Sequence, residues 1–231
     1  MKGIMNKMKY VVMAFALLCV CTGVSAQEGR DYIRKAIEDW GKCRNVALTK
    51  TNGDLALYQE NGYAHFGCPE DLDATINELH ADGELIDDVQ LTESGKWLIL
   101  YGDNGFRWND IPASLESQLK EYNNDGEVVT SATFNDAGEW IVISTNYFSA
   151  SDAELQTWLK EGNEKYGQIW AACVTDDAAV AVFENGYQFL GDIPASLQKA
   201  LDETELDVFR LKVAGDAWFF ADQEGGFEYE M

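Results

Sequence analysis

The sequence predicts an α+β repeat protein of five units of about 41 residues, each a helix plus a β-hairpin or meander. The first observation is a repeated pentapeptide, Ile-Pro-Ala-Ser-Leu, at Ile111–Leu115 and Ile193–Leu197. The second is an aromatic residue that follows a tight-turn signal and recurs once in each period of about 41 residues. These landmark aromatics are Tyr63, Phe106, Tyr147, Tyr187 and Phe227.

The strands of a unit follow from alternation and turn residues, and the second unit is the clearest case. Val89 and Leu91 alternate with polar residues, as in a strand with one buried face. The polar turn Glu-Ser-Gly-Lys follows, and a second apolar strand begins at Trp97. Asn104-Gly105 then predicts another tight turn, after which Phe106 begins a third, short extended segment.

Prolines predict where the helices begin. Pro69, Pro112 and Pro194 each follow a landmark aromatic by six or seven residues. Proline suits the first turn of a helix, where its missing N–H would have no partner. The third unit has no proline, and we expect Ser151 to be the N-cap with Glu154 completing a capping box.

The ends of the repeat predict the architecture. Ile33 and Ile37 have helical spacing before the first strand, whereas no helix pattern follows Phe227. No unit can bury both of its faces alone, so neighbours must stack. We expect the stack to close into a five-bladed, β-propeller-like ring, and an open solenoid is the alternative.

The amino terminus has the pattern of a secretory signal peptide. Three lysines precede an apolar run, and Val24-x-Ala26 matches a cleavage signal. We therefore expect an exported protein, periplasmic or extracellular. The predicted organisation is a signal peptide at 1–26, a single repeat domain at 27–231 with a first helix at 30–41, and units at about 43–84, 85–127, 128–168, 169–207 and 208–231.

Charge limits the partners. Without the three leader lysines, 14 of the 17 basic residues remain against 40 acidic residues, a formal charge of −26. Such a surface repels nucleic acid and anionic lipid, which both bind through lysine and arginine. We expect no nucleic-acid partner, no membrane insertion after cleavage, and a monomer.

One family resemblance covers nearly the whole mature chain. The segment SGKWLILYGDNGFRWNDIPASLESQL, 94–119, resembles tandem repeats of exported bacterial proteins with the form DGGWVVLYG-NGYW…IP-x-x-L-x-x-x-L. The period and the Thr-x-x-Gly-x-Trp turn are also similar to β-propeller blades. The resemblance implies export and repetition but no particular chemistry. Two departures from propellers are the missing Trp-Asp dipeptide and a helix in place of a fourth strand.

No catalytic constellation is visible. The two histidines, His65 and His80, form no metal-ligand pair, and no nucleophile elbow or phosphate-binding loop occurs. We expect a non-enzymatic protein without cofactor or metal. Two alternatives remain open: a carboxylate-based hydrolase of glycosidase type, and a calcium-stabilised structural module, for which Glu121, Asn123 and Asp125 resemble half of a calcium loop.

The expected function is to present a binding surface to a protein, peptide or glycan. Trp108 departs from the repeat pattern, and if exposed it could stack a sugar or grip a peptide together with Arg107 and Asn109. The five landmark aromatics are the other candidate contact residues, although a repeated position can equally serve packing between units.

Three cysteines follow the predicted cleavage site. Cys43 and Cys68 occupy positions that are apolar in other units, so they could pair in an oxidising compartment or pack as small hydrophobic residues. Cys173 aligns with Ala47, Gln90, Thr133 and Lys212 and is expected to be unpaired.

Overall fold

The computed structural model describes residues 26–51 and 53–231, in which one helix and three strands alternate five times. The signal-peptide prediction falls almost entirely outside the described residues. None of the helices in the described part is long and apolar enough to span a membrane. The helices are α1 (Ala26–Trp40), α2 (Glu70–Ala81), α3 (Ala113–Asp125), α4 (Ala153–Tyr166) and α5 (Ala195–Glu203). The strands are β1 (Cys43–Ala47), β2 (Asp54–Tyr58), β3 (Gly62–Phe66), β4 (Ile86–Leu91), β5 (Trp97–Tyr101), β6 (Gly105–Asn109), β7 (Val129–Phe134), β8 (Trp140–Ser144), β9 (Phe148–Ala150), β10 (Ile169–Val174), β11 (Ala178–Phe183), β12 (Gly186–Gly191), β13 (Arg210–Ala214), β14 (Ala217–Ala221) and β15 (Phe227–Glu230).

The strands form five separate three-stranded antiparallel sheets, each with its strands in chain order. The predicted unit of one helix plus a β-meander is therefore confirmed. No strand pairs through its backbone with a strand of another sheet within the described residues. Contact between units comes instead from side-chain packing and from side-chain hydrogen bonds, such as the one from Asn45 Nδ2 to Asp88 Oδ1.

The helix starts agree with the proline signal, with one shift and one correction. Pro69, Pro112 and Pro194 are N-cap residues, so each helix begins one residue later. In the third unit the cap is Asp152, not Ser151. The Asp152 carboxylate accepts hydrogen bonds from the amides of Glu154 and Leu155 at 2.9 and 3.0 Å, because a carboxylate is well placed to satisfy the free N–H groups of a first turn.

The repeated pentapeptide joins neighbouring units. Its leucine is fully buried in both copies, as Leu115 and Leu197. Its serine accepts a hydrogen bond from the indole of the next unit: Trp140 Nε1 donates to Ser114 Oγ at 2.9 Å, and Trp218 Nε1 donates to Ser196 Oγ at 3.0 Å. The identical five residues therefore mark one interface used twice.

Each helix packs between two sheets, which buries both of its apolar flanks. Leu72 and Ile76 of α2, for example, share a core with the sheets of the first and second units. The first helix follows the same rule with partners far apart in the chain. Ile33 and Ile37 of α1 share a core with Val46 of the first sheet and Phe219 of the fifth.

The first strands of the units lie together. β1 contacts β4, β4 contacts β7, β7 contacts β10, β10 contacts β13, and β13 contacts β1. Because these strands enter the sheets in the same sense, their starting residues gather at one end of the molecule. This end carries the candidate site.

Candidate functional site

A cavity of about 750 Å³ opens at the end of the molecule where the first strands begin. We call it the basal cavity. Its walls come from the first, second and fifth units, and its volume exceeds those of four other cavities in residues 26–51 and 53–231, which range from about 40 to about 290 Å³. It is lined by Lys42, Arg44, Gln59, Glu60, Asn61, Asp87, Phe209, Arg210, Asp222, Gln223, Glu224 and Gly225.

Backbone irregularities place charged side chains in this cavity. The pairing of β1 with β2 shifts register between Cys43 and Asn45, and β4 has the same irregularity between Ile86 and Asp88. The extra residues at these bulges are Arg44 and Asp87. A bulge re-aims the side chain of its extra residue, and both of these side chains line the cavity instead of continuing the alternation of their strands.

Two guanidinium groups from different units face the cavity with most of their donors unused. Arg44 Nη2 donates to the Ile86 carbonyl at 3.0 Å, and its buried Nε has no hydrogen-bond partner. Arg210 Nη1 donates to the Phe209 carbonyl at 2.9 Å. A guanidinium carries five N–H donors, so each arginine can still bind a ligand bidentately.

Asp87 lies near both arginines without contacting them. Burial raises the pKa of the Asp87 carboxyl, and the positive charges of Arg210 and Arg44 partly offset that effect. Burial also lowers the pKa of Arg44, which Asp87 opposes and Arg210 reinforces. Among the described residues no ion pair within 4.0 Å joins either arginine to a carboxylate. The three groups form a local site with a net positive charge.

The remaining wall is rich in amides and carboxylates. Asp222 Oδ1 accepts hydrogen bonds from the amides of Glu224, Gly225 and Gly226 at 2.8, 2.7 and 2.7 Å, which holds the β14–β15 turn in place. Gln223 of that turn is exposed. It also lines a neighbouring cavity of about 140 Å³ that shares Asp87 and Arg210 with the basal cavity.

Phe209 is the aromatic group of the cavity wall. It is half-buried and stacks on Trp170 of the fourth unit, with ring centroids 4.8 Å apart and planes 16° from parallel. Trp170 is the extra residue of the bulge in β10. The stack fixes Phe209 as a rigid apolar surface beside the charged groups.

A buried polar cluster lies further along the first strands than Arg44, Asp87 and Arg210. Lys212 Nζ lies 2.6 Å from Asp88 Oδ1 and 3.2 Å from Gln90 Oε1. Asn45 Nδ2 also donates to Asp88 Oδ1, at 2.9 Å. At the opposite end of the first strands, a cavity of only about 40 Å³ is lined by residues of all five units. Of these two cavities along the first strands, the basal cavity therefore offers more room for a ligand.

The structure separates the predicted Trp108 group. Trp108 is half-buried, packs against the core around α3 and stacks on Phe106 at 5.1 Å. Arg107 and Asn109 are exposed and project from the other face of β6. Arg107 lies over the Tyr101 ring, 5.2 Å from its centroid, and Asn109 Nδ2 donates to Asp71 Oδ2 at 2.5 Å. The three side chains do not form one surface.

Four landmark aromatics pack between units. Tyr63, Phe106, Tyr187 and Phe227 are half-buried and contact four different cores. Tyr147 is the exception, with 60% of its surface exposed. In the third unit the structural equivalent is the next residue, Phe148, which pairs with Ile143 and packs against the core, so the periodic assignment there is displaced by one residue.

The disulfide that the sequence allowed is not formed, and the three cysteines of the described region are free. Cys43 starts β1 and pairs with Tyr58, whereas Cys68 follows the opposite end of β3. The two positions are thus about a strand length apart, roughly 15 Å, and a disulfide needs Cα atoms within about 7 Å. Burial raises the pKa of both thiols to about 12.

The residues proposed for a calcium loop are helical instead. Glu121, Asn123 and Asp125 belong to α3, which ends at Gly126 with a left-handed φ of 76°. Within residues 26–51 and 53–231 no group of three or more histidine, cysteine or carboxylate side chains could hold a metal ion.

Sequence reasoning missed Arg44, Asp87 and Arg210. A signal was nevertheless present. Arg44, Asp87 and Arg210 are charged, whereas the corresponding positions of other units hold mostly apolar or small residues. The register shift that turns Arg44 and Asp87 toward one cavity leaves no mark in the alternation pattern, because a bulge adds one residue without changing its neighbours.

No protein-family model matches the chain, and no curated protein sequence is similar to it. Among solved structures, one match is the crystal structure of the C-terminal domain of gp131 from bacteriophage phiKZ, with a TM-score of 0.25 and 9% sequence identity over 81% of this chain. The chain spans about half of the length of that structure, 51%. A likeness of this size carries no argument about function.

Proposed function

We propose that this chain is an exported, non-enzymatic binding protein whose basal cavity receives a glycan or peptide. The observation that carries the proposal is the pair of guanidinium groups, Arg44 and Arg210, which face one cavity with unused donors. Polar groups that converge on a concave site without partners are typical of ligand-binding sites. Export rests on the signal-peptide pattern, and the monomeric state is part of the same proposal.

The proposal includes closure of the five units into a β-propeller-like ring. Three observations support closure: the cycle of contacts among the first strands, the core that α1 shares with the first and last sheets, and the small cavity lined by all five units. In a ring, the basal cavity lies at one end of the central axis. Three of the five units contribute to its wall, the first, second and fifth.

The hydrolase alternative would draw on the four carboxyl groups that line the basal cavity, Glu60, Asp87, Asp222 and Glu224. A glycosidase needs one carboxylic acid and one carboxylate that are free to act on the substrate. In the basal cavity, Asp222 Oδ1 already accepts three backbone N–H groups, and Asp87 lies beside two arginines.

Arrays of glycans and peptides test the function. Labelled full-length protein is compared with Gln223→Trp, which places a bulky ring in the exposed wall of the basal cavity. Gln198→Trp, the same change at an exposed position on α5, is the matched control. We expect specific probes to bind the wild type and the control, and to lose at least about tenfold in affinity with Gln223→Trp. Binding that is equal for all three proteins would place the site elsewhere, and the absence of any bound probe would contradict a binding function for these two ligand classes.

A further inference from the structure

The two arginines line one cavity from different units, Arg44 from the first and Arg210 from the fifth. Burial lowers the pKa of Arg44, an effect that Asp87 opposes and the positive charge of Arg210 reinforces. Both guanidinium groups are half-buried, and no ion pair within 4.0 Å joins either of them to a carboxylate among the described residues. An anion placed between them would be attracted by both. Planar guanidinium groups match carboxylates and phosphates through paired hydrogen bonds.

The surroundings favour a single carboxylate over a polyanion. Glu60 and Glu224 line the same cavity as the two arginines, and the mature chain carries a large negative charge. A phosphate or a polycarboxylate would place two or more negative charges against these acids and against the field of the whole molecule. One carboxylate satisfies the two guanidinium groups with less repulsion.

The rest of the wall is suited to hydroxyl groups. Gln59, Gln223 and the acids offer donors and acceptors that hydroxyls can pair with. The wall has one aromatic surface, Phe209, and no aliphatic side chain among its lining residues. Peptide sites usually provide apolar pockets for side chains, whereas a polar wall with one rigid aromatic ring is what a sugar requires.

We propose that the basal cavity recognises a saccharide carrying a carboxylate, as in a uronic acid, with the carboxylate held between Arg44 and Arg210. This inference rests on the proposed function and specifies its ligand. Asp87 opposes the anion and limits its affinity, while the amides and Phe209 bind the sugar ring.

The test compares an otherwise neutral disaccharide that carries one uronic acid residue with the methyl ester of the same disaccharide, by calorimetric titration of the full chain. We expect the acid to bind at least tenfold more tightly than the ester, since a charge-assisted hydrogen-bonded pair is worth a factor of about 10 to 100. Arg44→Gln and Arg210→Gln should each weaken binding of the acid by about tenfold and leave binding of the ester unchanged. Lys160→Gln, which removes one exposed positive charge from α4, is the control and should change neither.

Asp87→Asn distinguishes recognition from a merely structural role. Removal of its negative charge should strengthen binding of the acid several-fold, which loss of structure could not do. Equal affinity for acid and ester, with Gln223→Trp still abolishing both, would overturn the carboxylate inference and leave the binding function intact. If neither saccharide binds, but a peptide probe binds the wild type and not Gln223→Trp, the ligand of the cavity is not a saccharide. If nothing binds at all, both proposals fall.

Discussion

Lys212 and Asp88 are opposite charges almost fully removed from solvent, with side-chain exposures of 7% and 2%. Asn45 and Gln90 supply further hydrogen bonds to them, so side chains of three units meet at one polar centre. Burying an ion pair costs free energy unless both charges are fully paired. The alignment of the repeats placed Lys212, Gln90 and Cys173 at one repeat position, but it could not show that Lys212 would pair with Asp88 of another unit.

Lys212→Met tests this centre. The substitution leaves Asp88 buried without its counter-charge, and we expect the free energy of unfolding to fall by about 3–5 kcal/mol. The double variant Lys212→Met/Asp88→Leu should recover most of that loss, because no unpaired charge remains. Urea denaturation at pH 7 measures both, with Lys160→Met on the surface as the control. If Lys212→Met lowers the free energy of unfolding no more than Lys160→Met does, the ion pair contributes little to stability.

The elements were more predictable than the site. The i, i+4 apolar pairs and the proline signals predicted four helices within a few residues, and α1 begins at Ala26, four residues before the expected start. These signals are local and repeat in each unit. Arg44 and Asp87 depend on bulges, and Phe148 replaces Tyr147 through a shift in one turn. Such one-residue shifts depend on how a strand pairs with its neighbour, and the alternation pattern of one strand carries no information about that pairing.

The first helix tests closure of the ring. Ile33→Ala/Ile37→Ala in α1 removes buried side chains that contact the first and fifth sheets. In a ring, the loss should equal that of Leu155→Ala/Leu159→Ala in α4, at about 2–5 kcal/mol for each substitution, because both helices lie between two sheets. Hydrogen exchange should then quicken in all units, including the third.

An open solenoid gives a different exchange pattern for the α1 variant. Only amides of α1 and the first sheet would exchange faster, since an end helix would have one neighbouring sheet. The α4 variant serves as the matched control, because its exchange should spread through the molecule in either architecture.

For the whole molecule, opposite pKa shifts predict a maximum of stability in mild acid. Burial raises the pKa of Asp54, although Arg30 lies 2.8 Å away and opposes the shift, and it likewise raises the pKa of Asp87. The folded state therefore binds these protons more tightly, so the free energy of unfolding increases as pH falls toward 3.8, the ordinary value. Backbone hydrogen bonds from Leu155 lower the pKa of Asp152. For Asp136, burial acts upward but hydrogen bonds from Ser94 prevail and lower the pKa.

Thermal unfolding measured across pH tests how these raised and lowered pKa values combine in the stability of the protein. We expect Tm to rise as pH falls from 8 toward 3.8, and to fall again below that ordinary aspartate value as Asp136 and Asp152 become protonated. Asp87→Asn should reduce the rise toward pH 3.8, because the asparagine does not titrate. A Tm that falls steadily from pH 8 downward would contradict the assigned shifts.

The chain passes from each unit to the next, except at the junction of the fifth unit with the first. There, α1 and the two sheets meet through side chains, and Arg34 Nη2 donates to the Met231 carbonyl at 2.5 Å. Arg44 and Arg210 stand on opposite sides of this same junction. An anion bound by both arginines would hold the first and fifth units together across this non-covalent junction. Ligand binding would therefore raise the free energy of unfolding, by about 4 kcal/mol at a ligand concentration 1,000 times Kd.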